Sequence, residues 1–373
     1  MTHVFLAAGD LAPDRDHYDE SYVATRDVLH AADIAFAQLE TSFAEKGVRL
    51  PQARHAVLAR PDGADALARA GFDVISMAGN HVLDWGNDAF FETKANLERA
   101  GLKVVGAGAN IAEARKPVKI TLGDGTRVAI LAYCTILPHS YWAEEHRPGC
   151  APMRAHTLYE QIEHDQPGTP ARIHTFPHRE DLAALEADIR AAKADADLVF
   201  VSLHWGIHFV RASIADYQRD VARAAVAAGA DAILGGHPHI LKGCELIDGA
   251  PVFYSLCNFA TDLRMDPVHA ASKSFNEIRV LAGEWEPDFD SLYNFPTASR
   301  MSLVARFEIA NGRIVRSGFL PLYIDRDAVP RFVAPGSERH AEIVDYMAAV
   351  TAEAGLNARY HVESEMVVLE AAA

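Results

Sequence analysis

Ala232-Ile233-Leu234-Gly235-Gly236-His237-Pro238-His239 is the stretch that decides the fold. A short apolar run stops at two glycines, which permit close backbone approach, and a proline then fixes the turn between two imidazoles. Histidines two residues apart in such a turn can face one pocket. Working outward, the same construction recurs at Val4 to Ala8 before Gly9-Asp10, and at Ile34 to Leu39 before Glu40. It recurs again at Val74 to Met77 before Ala78-Gly79-Asn80-His81, and at Leu198 to Leu203 before His204-Trp205-Gly206. Two further runs, Val104-Val105 and Val128 to Ala132, have the same character. Continuous apolar runs of this length suit strands covered on both faces.

Between the runs lie alanine-rich stretches with helical spacing: Asp62 to Ala70, Ala89 to Ala100, Asp181 to Ala194 and Tyr217 to Ala228. Three of them close on Ala70-Gly71, Ala100-Gly101 and Ala228-Gly229, the left-handed glycine stop of a helix. Alternating strand and helix predicts a layered α/β fold. Met301 to Ile309, the turn Asn311-Gly312 and Ile314 to Leu320 read as a β-hairpin. Glu338 to Ala354 reads as a helix packed on the outside.

The chain has 373 residues, 50% of them hydrophobic, ample for a buried core. With 35 Lys+Arg against 51 Asp+Glu, its formal charge of -16 repels nucleic acid and anionic membrane surfaces as general partners. A small anionic substrate remains compatible, because metal ions and a few basic residues reverse the local field in a cleft. Cys134, Cys150, Cys244 and Cys257 show no paired spacing, so neither a disulfide framework nor a cysteine zinc site is expected, and a reducing compartment fits. The first residues run straight into a strand, with no basic leader and no apolar stretch near ~18 residues, so the expectation is a soluble cytoplasmic protein with no membrane contact.

Two segments interrupt the alternation. Leu137 to His178 holds six of the 18 prolines and six histidines without clear periodicity, and reads as a lid or binding loop. Asp262 to Arg300 mixes Arg264, Trp285, Tyr293 and Phe295 with acidic residues and reads as a second insertion.

Hard divalent cations need oxygen and imidazole donors from several chain segments, and strand ends present them rigidly. Asp10, Glu40, Asn80, His204, His237 and His239 all stand at such ends. Each alone is an ordinary turn or core residue; their joint order is what makes them a metal site. The set Gly9-Asp10, Leu39-Glu40, Gly79-Asn80-His81 with Asp84 and Gly86, His204-Trp205-Gly206 and Gly236-His237-Pro238-His239 resembles the CapA branch of the calcineurin-like metallophosphoesterases, associated with poly-γ-glutamate capsule synthesis. The likeness runs over roughly residues 1 to 325 outside the two insertions, with Tyr254 to Phe259 as a further supporting phrase. Gln38 stands where the family usually has Asn, and Cys257 where it usually has Gly. The family's usual membrane-anchoring N-terminus is also missing, which sets the capsule role apart from the metal site.

The resemblance implies a layered αββα metallophosphoesterase-like sandwich over 1–325, with insertions at about 137–178 and 262–300, and an extension at 326–373 packing on it. It implies two divalent ions (Mn, Fe or Zn), one held by Asp10 and His239, the other by Asn80, His204 and His237, with Glu40 bridging. His81, with Asp84 as its partner, would be the general acid. Trp205 and His208, flanking a ligand strand, are expected in the substrate pocket with Trp142 and Asn258. Arg211 and Arg264 could grip a carboxylate or phosphate, or equally pair on exposed helix faces. Three functions stay open: a dinuclear hydrolase of a phosphoester or of an amide or peptide bond that uses metal-held hydroxide, a metal-independent peptide epimerase or isomerase, and a non-catalytic accessory subunit of poly-γ-glutamate-type biosynthesis. The substrate expected is a small anionic molecule or a peptide.

Overall fold

The structure, a computed structural model, describes residues 2–283 and 285–371. Met1, Glu284 in the second insertion, and Ala372 and Ala373 in the expected C-terminal extension lie outside the described residues.

Two β-sheets form the centre. In the first, His3–Ala12 runs parallel to Ile34–Leu39, which pairs in turn with Val74–Ser76 and then Lys103–Val105. On its other side the sheet continues antiparallel through Met301–Ala310 and Arg313–Ile324. The second sheet has Arg127–Cys134, Leu198–His204, Ala232–Gly236 and Ala250–Phe253 in parallel, with antiparallel edges at Val118–Thr121 and Cys244–Ile247.

Period-two alternation in the second sheet shows how the layers stack. Val128, Ile130, Leu198, Phe200, Ala232 and Leu234 join the cluster that contains the first sheet. Their neighbours Ala129, Leu131, Val199, Val201 and Ile233 join a separate cluster with Leu185, Ile189, Val221 and Ala225 of helices Arg179–Asp195 and Asp216–Ala228. The far face of the first sheet is covered by Asp62–Ala70 and Gly86–Arg99 through Leu67, Phe90 and Leu97. The order is helices, sheet, sheet, helices. Where the sheets meet, the Phe200 ring stacks on Phe5 at 4.1 Å between centroids and meets Phe307 edge-on at 5.1 Å.

Ile34–Leu39 and Asp62–Ala70 form over the residues that the pattern marks. Gly71 and Gly229 cap their helices at φ 103° and 114°, where a side chain would be strained. Asn311 and Gly312, at φ 54° and 71°, make the tight hairpin turn whose twist matches the flanking strands.

Two expectations need correcting. The first insertion is no structureless loop: Ala155–Glu160 and Arg172–Pro177 pair as an antiparallel hairpin. It leaves Leu158, Tyr159, Ile173 and Phe176 exposed, so no buried face imposes a readable alternation. The chain after 325 is built into the fold rather than laid on it. Ala358–Glu363 and Met366–Ala371 extend the first sheet through Val367 and Val368 beside Arg313–Ile324. Helix Glu338–Glu353 turns Ile343, Met347 and Val350 inward and leaves its opposite face exposed. No helix among the described residues is long and apolar enough to cross a membrane.

Truncating Phe200 to Ala leaves a hole between the sheets that neither can close. The expected cost is about 3–5 kcal/mol in urea unfolding, and a loss below about 1 kcal/mol would contradict this stacking.

Candidate metal centre

Each donor is delivered by the end of a strand. Asp10 lies near the end of His3–Ala12, Glu40 follows Ile34–Leu39, and Asn80 follows Val74–Ser76 on the first sheet. His204 ends Leu198–His204, and His237 and His239 follow Ala232–Gly236 on the second. The site therefore sits where the carboxyl ends of both sheets converge, the place an open parallel sheet offers to ligands.

Two glycines allow the approach. A side chain on Gly9 would meet the Cys257 carbonyl oxygen at 1.9 Å, and one on Gly236 would meet Asp10 Oδ1 at 2.7 Å. Asp10 N instead donates to that Cys257 oxygen at 3.0 Å, and Asp10 Oδ2 accepts from His237 N at 3.0 Å. His237 itself is held at φ 94°, a strained setting for a residue with a side chain and one of the kind that collects at functional sites.

The side chains form two donor groups that share one carboxylate. Glu40, His204 and His237 bring ligand atoms within 4.8 Å of one another, and so do Asp10, Glu40 and His239; all five residues are buried. Asn80 Oδ1 lies 2.5 Å from His204 Nε2 and belongs with the first group. Glu40 reaches both, with one oxygen 3.1 Å from His204 Nε2 and the other 3.7 Å from His239 Nε2. Asp10 Oδ1 and His237 Nδ1 are buried without a hydrogen-bond partner among the described residues. Buried polar atoms are seldom left so, and oxygen and imidazole donors together are what a divalent cation takes. The residues present fit two such ions.

Residues behind the donors aim them. Asn258 Oδ1 lies 2.7 Å from His239 Nδ1, and Asn258 Nδ2 donates to Tyr293 Oη at 2.7 Å. With its oxygen so placed, Asn258 accepts a hydrogen bond from Nδ1–H and leaves His239 Nε2 as the free lone pair facing Glu40. His81 Nδ1 lies 2.6 Å from Asp84 Oδ2, whose other oxygen accepts from Tyr141 at 2.8 Å.

Comparison with known proteins now bears on this centre. Residues 4–263 match the family described as "Bacterial capsule synthesis protein PGA_cap". The chain belongs to the bacterial capsule synthesis protein family. The "PGA biosynthesis protein CapA" of Bacillus subtilis is 30% identical over 191 residues, 51% of this chain and 43% of that protein. A "Probable polyglutamine synthesis accessory protein" of Mycobacterium tuberculosis is 28% identical over 257 residues, 67% of this chain and 61% of that one. The chain thus spans less than half of the first relative's length. Among solved structures, the calcineurin-like phosphoesterase YfkN of Bacillus subtilis aligns over 94% of this chain and 98% of that chain, at 13% identity and a TM-score of 0.41.

In this capsule-family chain the substrate residues expected from sequence are not all together. His208 is in place, its ring 3.9 Å from that of His237 and 5.3 Å from that of His239. Trp205 is not: it is fully buried on the helix side, stacked on Tyr254, with its indole N–H donating to the Tyr254 carbonyl at 3.1 Å. Since His204 points between the sheets, its neighbour must point away. Arg211 is tied to Glu353 at 2.8 Å and lies over Tyr346. Trp142 carries the guanidiniums of Arg147 and Arg154 over its ring and does not line the cavity beside the donor groups. Asn258 orients His239 rather than facing substrate.

The cavity beside the donor groups has a volume of about 100 Å³, and its wall is apolar, made by Phe209, Met265, Phe275, Trp285 and Phe295. His55 lines it as well. Sequence reasoning missed Phe209, Met265, Phe275 and His55. Only Phe209 carried a signal, standing next to His208.

Burial raises the Asp10 carboxyl well above its ordinary value, and the nearby Glu40 charge adds to this. Burial acts the same way on Glu40, but the His239 and His204 imidazoles outweigh it and hold Glu40 down to about 2. Burial lowers His237 and His208 well below 6.5, lowers His239, and brings His55 down to about 4. For His81, burial opposes protonation but the Asp84 bond overcomes it and the imidazole is raised.

Those directions fix a pH response for metal-free protein. Below about 6.5 the unfolded chain protonates His55, His208, His237 and His239 while the folded chain resists. Their stability is therefore present above that pH and lost as pH falls toward about 4. Asp10 and His81, both raised, act the opposite way, but they are two groups against four imidazoles. Denaturant midpoints of the chelated protein should fall from pH 7 to pH 5; a flat or rising profile would refute these environments.

Proposed function

We propose that this chain is a hydrolase working with two divalent cations, one among Asp10, Glu40 and His239, the other among Glu40, Asn80, His204 and His237. The observation that carries the reading is the double use of Glu40, a buried carboxylate belonging to both donor groups at once. When bound, the two cations would acidify a water molecule and stabilise the negative charge that develops on the attacked group. The protein's own residues account for the rest.

His81 lines the cavity with its Nδ1 engaged by Asp84, so Nε2 is the nitrogen that can donate a proton to a leaving oxygen or nitrogen. Tyr141 holds Asp84 in turn, fixing the ring's orientation. The apolar wall of Phe209, Phe275 and Trp285 keeps bulk water from the reacting bond and strengthens each charge inside. The bond is a phosphoester or an amide. The name of the Bacillus subtilis relative, a PGA biosynthesis protein, supports the amide of an acidic peptide.

A second reading, a non-catalytic accessory protein, draws support from the name of the mycobacterial relative. Both readings use the metals, but only one needs a proton donor. Elemental analysis should find about two equivalents of Mn, Fe or Zn, with at least one lost in His237→Ala; full metal in that variant would sink the ligand assignment.

For the proton donor, His81→Ala should keep both metals and lower kcat on phosphodiester or glutamyl-peptide substrates by about 10²–10⁴-fold. Unchanged turnover in that variant would remove His81 from the chemistry. Full metal loading with no turnover on either substrate class would establish the accessory role instead.

A further inference from the structure

A second cavity, of about 770 Å³, opens beside the metal cavity and shares His55, Val57, Asp262 and Leu263 with it. Its walls come from the loop 49–57 and the insertion segment 262–277. Arg49, Arg54 and Arg264 line it, all exposed, and none has a carboxylate partner among the described residues. Acids outnumber bases 51 to 35, and most arginines elsewhere find carboxylates, as Arg69 does with Asp19, Arg99 with Asp65, Arg127 with Asp197 and Arg154 with Asp181; Arg219 and Arg300, which do not, are spent on backbone carbonyls.

The acids in the cleft do not neutralise it. Asp262 is taken by Arg15 in a buried ion pair and also accepts from Asp14 N, while Glu277 lies 3.6 Å from Lys273. Asp14 is the one carboxyl left to face three guanidiniums. The cleft is thus a local positive field on a protein of formal charge -16. Guanidinium forks that line one cleft without a carboxylate partner are suited to oxyanions, which they hold through paired N–H bonds.

The junction between the two cavities is fastened. His55 Nδ1 and His269 Nε2 lie 2.9 Å apart, with the rings stacked at 4.9 Å, and His55 Nε2 lies 3.4 Å from Ser274 Oγ. These contacts tie the loop to the insertion and hold His55, at φ 51°, where one cavity passes into the other. A molecule with its reacting bond at Glu40 and His81 would pass His55 and emerge between the arginines.

We propose that this cleft is a binding subsite for an anionic oxygen group, a carboxylate or a phosphate, carried by the same substrate whose bond is cut at the metals, with Arg54 and Arg264 as its specificity-determining residues. The inference rests on the hydrolase reading for what lies at the metals. Its own test is a binding measurement that needs no turnover.

Calorimetric titration of the full chain, before and after chelation, with tetra-L-glutamate, tetra-L-glutamine and inorganic pyrophosphate gives the readout. Arg54→Gln combined with Arg264→Gln should weaken binding at least ten-fold, with metal content and thermal midpoint unchanged, and the wild-type binding should fade as salt rises. Loss confined to tetraglutamate identifies a carboxylate, and loss confined to pyrophosphate a phosphate. The subsite is overturned if the double variant binds both anions as the wild type does, if neither anion binds the wild type, or if tetraglutamine binds equally well. Arginine-dependent binding by a chain that takes up no metal would overturn the hydrolase reading alone.

Discussion

Glu40 places one oxygen 3.1 Å from His204 Nε2 and the other 3.7 Å from His239 Nε2, in a buried setting where a lone carboxylate would be costly. Its strand belongs to the first sheet, and both imidazoles belong to the second. The contact therefore exists only while the two sheets stay in register face to face, and the interdigitated Phe5, Phe200 and Phe307 hold them there. Two acids and three imidazoles brought this close disagree electrostatically: Asp10 is pushed toward its neutral form while Glu40 is held ionised. Bound divalent cations would resolve that disagreement, since they favour the carboxylates charged and the imidazoles neutral together.

The surroundings show the same economy of position. Asn258 orients His239 and is itself anchored by Tyr293, which donates to the Ser299 carbonyl in the second insertion. Cys257 sits at φ 64°, a backbone setting that glycine adopts without strain, and its carbonyl is the acceptor that fixes Asp10. The insertion thus supports the donors from behind through Tyr293 and closes the cavity in front through Phe275 and Trp285.

What could be read from the sequence was whatever repeats locally. Strand ends announce themselves by an apolar run meeting glycine, so the six donors stood out, and so did the glycine-capped helices. The remainder depends on partners distant in the chain. Arg211 pairs with Glu353, 142 residues on, and no spacing rule links them. Trp205 was misplaced because adjacency to a ligand was given more weight than the pleat, which turns the next side chain to the opposite face. The strands after Ala358 carry mixed polar and apolar residues that make sense only as a sheet edge. His55 sits in a loop with no repeating pattern and gains meaning only from His269, 214 residues later.

The most direct test of a shared Glu40 is electron paramagnetic resonance of the protein loaded with Mn(II). Two ions bridged by one carboxylate, about 3.5–4 Å apart, couple their spins and give a broad exchange-coupled spectrum. That spectrum is the predicted result at two equivalents, with Glu40→Ala abolishing it. Isolated six-line Mn(II) signals at full loading of the wild-type protein would contradict the account.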